Sequence, residues 1–250
     1  MLDENAAWRV LRRYAQDCLE IDGASLLAVF AIGSLPAGYY RPGQSDIDAV
    51  LVVRDGSAAM WGTAMEPSAP LAALNRRYLE IYRIPKDFGP FPVQELELYP
   101  PYQVELELVP EIARLKLQGQ PVYRAFDLST VPLPTARDFL AHAQHFEQWW
   151  RDEFSKSAPL ESLPATACVN TILMQLHRFL CIKRGVIEFD KRILTQRYLE
   201  CGPPFVDPDE LALVGRSLSG ALLSDAEIER LRRYCGELHV RMNEYLGISV

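Results

Sequence analysis

The chain has 250 residues, enough for one large domain or two modest ones. Its hydrophobic share of 49% and charged share of 24% are those of an ordinary globular protein, which sets disordered and low-complexity classes aside. A net charge of -7 argues against a generic nucleic-acid-binding surface, and no apolar run in the sequence approaches membrane-spanning length.

The first residues, Met1-Leu2-Asp3-Glu4-Asn5, lack the basic start and apolar core of a signal peptide. Cys18, Cys168, Cys181, Cys201 and Cys235 are scattered and form no Cys-x-x-Cys pair. They read as reduced thiols of a cytoplasmic protein rather than a zinc site or a disulfide framework. Residues 3–20 form an amphipathic helix, with Trp8, Leu11, Ala15 and Leu19 at helical spacing. Asp22-Gly23 ends it. Two apolar runs follow, 26–32 and 49–53, each bounded by turn residues and read as a buried strand.

Between those strands lies Gly33-Ser34-Leu35-Pro36-Ala37-Gly38-Tyr39-Tyr40-Arg41-Pro42-Gly43-Gln44-Ser45-Asp46-Ile47-Asp48. A Gly-Ser turn closes the first strand and Asp-Ile-Asp opens the second. Alternate strand residues share a face, so Asp46 and Asp48 point one way and Ile47 the other. Two adjacent carboxylates repel, and a hard divalent cation resolves the conflict. Mg²⁺ suits it, since it takes oxygen ligands and usually binds through one or two carboxylates together with substrate phosphates. Gly33 and Ser34 let backbone N–H groups approach a phosphate closely, and Arg41 adds positive charge.

This string resembles the polymerase-beta-like nucleotidyltransferases, whose pattern is a Gly-Ser pair, a short loop and Asp-apolar-Asp ahead of an apolar strand. The fuller form, ending Ser45-Asp46-Ile47-Asp48, is similar to the aminoglycoside-modifying and minimal branches of that superfamily. The resemblance implies a third carboxylate on a later strand, followed by a short helix, a Gly and an apolar-Tyr ending. Glu105, in Val104-Glu105-Leu106 ahead of residues 111–123, fits that order. Glu107 on the same face and Glu97 in Leu96-Glu97-Leu98 remain alternatives.

In chain order, residues 54–70 read as a loop, 71–84 as a helix stopped by Pro85, and 85–92 as a second irregular stretch. Residues 93–99 and 102–109 have strand period, 110–117 form a short helix begun by Pro110, and 129–134 read as a linker. From there the pattern is helical: 137–154, 164–183, 191–200, 207–219 and 224–246, the last with a Ser224/Glu227 capping box. The expected architecture is an α/β (α+β) nucleotidyltransferase domain with a mixed sheet over 1–131 and an all-α helical bundle over 132–250. The helical part resembles the C-terminal domain of the aminoglycoside nucleotidyltransferases through the string 181–192. There the resemblance implies that a Lys opening a helix faces the nucleotide phosphates, and Lys191 matches it. Asp190 departs from the small polar residue usual before that Lys.

The chemistry that fits is transfer of a nucleoside monophosphate from a nucleoside triphosphate, the acceptor hydroxyl attacking the α-phosphate in line while pyrophosphate leaves. Two Mg²⁺ ions would serve it, Asp46 and Asp48 bridging both and Glu105 completing one. Ser34 with its N–H and Lys191 would hold the terminal phosphates of the triphosphate, with Gly33, Arg41 and Ser45 in the same loop motif. ATP is the expected co-substrate by resemblance alone, and the acceptor is a small hydroxyl compound such as an aminoglycoside. Glu147, Asp152 and Glu153 are candidate bases by residue type, and the Trp149-Trp150 pair reads as packing. Three other classes compete. One is an antitoxin-like enzyme adenylylating a protein partner. Another is a toxin-type ribonuclease, marked by Arg137…His142 or Arg233…His239. The third is a nucleotide-binding regulator, against which the intact aspartate pair argues. No metal spacing joins the four histidines, and an oligomer is compatible with the sequence.

Overall fold

A computed structural model describes residues 2–63, 66–84, 88–100, 108–124, 126–149, 163–203 and 205–248. The chain divides into two units, Met1–Pro134 and Thr135–Val250, each with its own apolar core.

Helix α1 (Glu4–Asp22) begins where the Asp3 side chain accepts the Ala6 N–H at 2.6 Å, and it buries Val10, Leu11, Tyr14 and Cys18. Strands β1 (Leu26–Ile32) and β2 (Asp48–Val53) are the two apolar runs, almost wholly buried. They pair antiparallel, with Ile32 opposite Asp48. A short ribbon, β3 (Trp61–Thr63) with β4 (Glu66–Pro67), leads to α2 (Ala69–Tyr82). Strand β5 (Phe91–Gln94) lies parallel to β2, α3 (Val109–Gln118) follows, and β6 (Gln120–Arg124) pairs antiparallel with β1. The sheet order is therefore β5-β2-β1-β6, a mixed sheet. Val29 and Ala31 of β1, with Ile47, Ala49, Leu51 and Val53, pack in one cluster with α1 and α2. Ala28, Phe30, Val50 and Val52 alternate with them and are buried on the other face, and α3 lies against β1.

Three local expectations are corrected. The stretch 54–70 holds the β3/β4 ribbon and the start of α2, because Ser68 caps that helix and Pro70 fits its first turn. Helix α2 stops at Arg83, which takes a left-handed conformation (φ 48°), before Pro85 is reached. The strand expected over 93–99 ends at Gln94, where the chain turns into a 3₁₀ helix, Glu95–Leu98. The Glu97 carboxylate accepts the Gln94 N–H at 2.6 Å, and that local bond outcompetes the strand ladder. The strand expected over 102–109 lies outside the described residues except for its end, and Val109 already belongs to α3.

The second unit contains α4 (Ala136–Trp149), α5 (Ala165–Phe179), α6 (Lys191–Cys201), α7 (Pro208–Leu218) and α8 (Asp225–Leu246). Among its described residues there is no strand. Helix α5 runs on through a π turn, Leu180–Arg184, and Gly185 ends it at φ 63°. The Ser224/Glu227 capping box starts α8. Helices α5 and α8 form the centre of the core, contributing Ile172, Leu173, Leu176 and Phe179 against Leu231, Leu238 and Met242. By length and composition the continuous helix Ala165–Arg184 could cross a membrane, which the sequence reading did not anticipate; its apolar face is the core of this unit.

Candidate active site

The site is built at the end of β1. The antiparallel register sets Ile32 against Asp48, so Gly33 arrives beside the Asp48 side chain. A Cβ on Gly33 would sit 2.7 Å from Asp48 Oδ2, and the backbone there has φ +75°. Glycine is thus required twice, by conformation and by the carboxylate it faces. The chain then turns through a loop in which Gly38 (φ 75°) and Gly43 (φ 76°) also take left-handed conformations. Its closing turn is held by Ser45: the Arg41 N–H donates to Ser45 Oγ at 3.0 Å, and the Ser45 N–H donates to the Arg41 carbonyl at 2.9 Å.

Immediately after that turn, Ile47 is fully buried in the sheet core and bridges to Phe88, while Asp46 and Asp48 on either side of it are half-buried. The carboxylate pair therefore faces away from the core cluster as the alternation requires. The loop leaves two buried hydroxyls without a hydrogen-bond partner, Ser34 Oγ and Tyr40 Oη. Tyr40 titrates above the ordinary tyrosine range, first because of its burial and then because of the negative charges of Asp46 and Asp3. A buried hydroxyl without a partner is costly, and the loop carries two near two carboxylates. Tyr40 was not singled out by the sequence; its place between Gly38 and Asp46 is the signal that was available. The Arg41 side chain is exposed.

The remaining candidates fall elsewhere. Glu105 and Glu107 lie outside the described residues, and Glu97 is engaged as the cap of the 3₁₀ helix. Among the described residues no group of three His, Cys, Asp or Glu side chains forms a metal cluster. Asp46 and Asp48 by themselves offer the two carboxylates that Mg²⁺ usually takes from a protein when phosphates complete its shell. Lys191 is the first residue of α6, where its Nζ donates to Asn170 Oδ1 at 3.1 Å. The unexpected Asp190 is the cap of that helix: its carboxylate binds the Arg192 side chain and backbone N–H, and Arg192 holds it below the usual carboxylate range.

Glu147, a candidate base by type, is 1% exposed and bound to His239, so it is not available to an acceptor. Asp152, Glu153 and Trp150 lie outside the described residues. His142 is buried in α4 while Arg137 is exposed, and His239 turns to Glu147 while Arg233 faces solvent. The two Arg…His spacings thus reflect helix positions pointing in different directions.

No family model matches the chain, and no curated protein matches it in sequence. In three dimensions it is similar to the spectinomycin adenyltransferase AAD(9) from Enterococcus faecialis, solved with ATP and spectinomycin. The likeness covers 92% of this chain and 97% of that one, with a TM-score of 0.59 and 15% identity. The chain therefore shares the fold of that adenyltransferase, a mixed-sheet part followed by a helical part. A toxin–antitoxin structure with AMP-PNP covers 58% of this chain and 93% of its own at 12% identity, and its TM-score of 0.29 supports no argument.

Proposed function

We propose that this protein is a metal-dependent nucleotidyltransferase that moves a nucleoside monophosphate, AMP from ATP, onto a hydroxyl of a small molecule. The observation that carries the reading is the packing of Gly33 on the Asp48 carboxylate, with the unpartnered Ser34 hydroxyl next in the chain. Asp46 and Asp48 would hold Mg²⁺, which when bound would neutralise phosphate charge and orient the leaving group. Glu105 is proposed as the further carboxylate of that set. The Ser34 hydroxyl and the N–H groups of its turn supply donors to the terminal phosphates, and Arg41 adds charge from the same loop. Ser45 acts on the Arg41 backbone through its hydroxyl and its N–H, fixing the turn that presents Asp46. Lys191 is proposed as a triphosphate contact from the helical unit.

ATP and an aminoglycoside-like acceptor are preferred because the protein sharing this fold over most of both chains was solved with ATP and spectinomycin. Little covalent work falls to such a site, and positioning and charge neutralisation carry the rate. The test is pyrophosphate release with ATP, Mg²⁺ and a panel of aminoglycoside and aminocyclitol acceptors, wild type beside Asp48→Asn. Acceptor-dependent release by the wild type alone supports the reading. Release that needs a protein acceptor and ignores every small molecule would replace it with a protein-adenylylating activity.

A further inference from the structure

Tyr40 places a polar atom inside an apolar cluster. Its ring belongs to the core that α1 and α2 form on the sheet, and the residue is 8% exposed. Its hydroxyl is buried with the ring and has no hydrogen-bond partner. Packing alone would be served as well by an apolar side chain, and an unpaired buried hydroxyl costs stability. The loop's backbone bonds set what stands beside it. Before Tyr40, the Tyr39 N–H donates to the Ser34 carbonyl at 3.1 Å. After it, residues 41–45 are closed at the neck. The Arg41 N–H donates to Ser45 Oγ at 3.0 Å, and the Gln44 and Ser45 N–H groups donate to the Arg41 carbonyl at 3.0 and 2.9 Å. Tyr40 and Asp46 are the residues that flank this neck, so the turn brings them side by side. Negative charge from Asp46, and less from Asp3, reaches the phenol. Asp3 is already engaged as the cap of α1, its Oδ1 accepting the Ala6 N–H at 2.6 Å. Asp46 is half-buried next to the buried Ile47.

We propose that Tyr40 is a positioning residue for the metal site, its hydroxyl donating to the Asp46 carboxylate oxygen that is turned away from bound Mg²⁺. The inference rests on the nucleotidyltransferase reading and adds to it a residue that touches neither metal nor substrate. A carboxylate that binds a metal through one oxygen keeps lone pairs on the other. Outer hydrogen bonds to that second oxygen orient the ligand and tighten the metal site. Tyrosine suits the task because it is an uncharged donor at neutral pH. Its ring is clamped by the core, so little freedom is lost when the bond forms. The hydroxyl is then a liability in the free protein and an asset in the loaded one. That division sets stability and binding in opposite directions, which a purely structural tyrosine would not do.

Tyr40→Phe removes the hydroxyl and keeps the ring. Calorimetric titration of the full chain with α,β-methylene ATP, which cannot release pyrophosphate, is run in Mg²⁺ and again in EDTA. Urea unfolding is followed without ligand. In Mg²⁺ the variant should bind about tenfold more weakly than wild type. In EDTA the two should bind alike. The unfolding midpoint of Tyr40→Phe should equal or exceed that of wild type, since a buried group without a partner is gone. Asp3→Asn keeps a capping side chain and should bind the analogue as wild type does. Unchanged affinity in Mg²⁺, an equal loss in EDTA, or a lowered midpoint overturns the role of Tyr40. An equal loss from Asp3→Asn overturns it too, by moving the acceptor to Asp3. Wild type that binds the analogue no better in Mg²⁺ than in EDTA overturns the metal-dependent reading itself, and the role of Tyr40 with it. Mg²⁺-dependent binding by wild type with an indifferent Tyr40→Phe sinks the positioning role alone.

Discussion

Both units bury polar atoms without partners, and where those atoms lie separates two meanings. In the first unit, two of them, Ser34 Oγ and Tyr40 Oη, sit in the glycine-bearing loop that leads into Asp46 and Asp48. In the second, those of Glu147, Gln175, Arg178 and Asn243 cluster between helices. A loop at a strand end is open to a ligand, so its unmet donors are read as binding capacity. A helix interface is reached only when a helix moves, so its unmet groups are read as a weakness in packing. The first unit also holds a paired buried charge: Asp17 of α1, 5% exposed, takes Arg77 at 2.6 Å and the Tyr78 hydroxyl at 2.8 Å on Oδ2, and Arg13 lies 2.9 Å from its Oδ1.

The largest expected effect bears on the loop side of this comparison. Asp48→Asn keeps the side chain's size but removes one metal-binding charge, and transfer should fall by about two to three orders of magnitude. Circular dichroism and the unfolding midpoint should stay near wild type, because Asp48 is half-buried and outside the apolar cluster. An active Asp48→Asn enzyme would remove the carboxylate pair from the reaction.

Next comes a pair of glycine variants. Gly33→Ala and Gly38→Ala both force a left-handed alanine at φ +75°, a strain of about 1–3 kcal/mol. Only at Gly33 does the new Cβ meet something, Asp48 Oδ2 at 2.7 Å; at Gly38 nothing lies within 4 Å. Similar losses in denaturant midpoint with activity lost in Gly33→Ala alone are therefore expected. Equal activities would mean that the close approach at Gly33 has no bearing on the site.

That contrast also shows what the sequence made legible. The string 33–48 declares its loop because Gly and Pro punctuate it, and its strands because their apolar runs are continuous. The period change after the linker declares a mixed sheet followed by helices, since 2.0 and 3.6 are different periodicities. What stayed hidden depends on partners distant in sequence. Nothing local says that Glu147 meets His239, 92 positions away, or that Gly33 faces the Asp48 carboxylate. The strand expected over 93–99 was misjudged for a local reason: the alternation of Glu95-Leu96-Glu97-Leu98 suits a sheet, yet the Glu97 side chain satisfies the Gln94 N–H and closes a helical turn.

A smaller effect concerns the cores. Leu51→Ala in the sheet and Leu238→Ala in α8 remove fully buried side chains, and each should cost about 2–5 kcal/mol. If the two apolar clusters are independent, each variant should lower only its own unit's exchange protection and leave the other's unchanged. Loss of protection in both units from either variant would show that they unfold together.

The smallest expected effect falls on Lys191, the one proposed nucleotide contact in the helical unit. Its side chain is exposed and donates to Asn170 at 3.1 Å. Removing an exposed hydrogen bond of this kind costs little, and a cation in the first turn of a helix is mildly unfavourable against the helix dipole. Lys191→Ala should therefore leave stability within about 0.5 kcal/mol of wild type. A single ammonium contributes to triphosphate binding as a point charge, so ATP affinity should fall about tenfold if Lys191 touches the phosphates. Titration of ATP into both proteins measures that ratio, and Lys191→Arg, which keeps the charge, should recover part of it. An unchanged affinity in Lys191→Ala would confine the nucleotide site to the first unit. The helical unit would then be left with the acceptor alone, or with neither substrate.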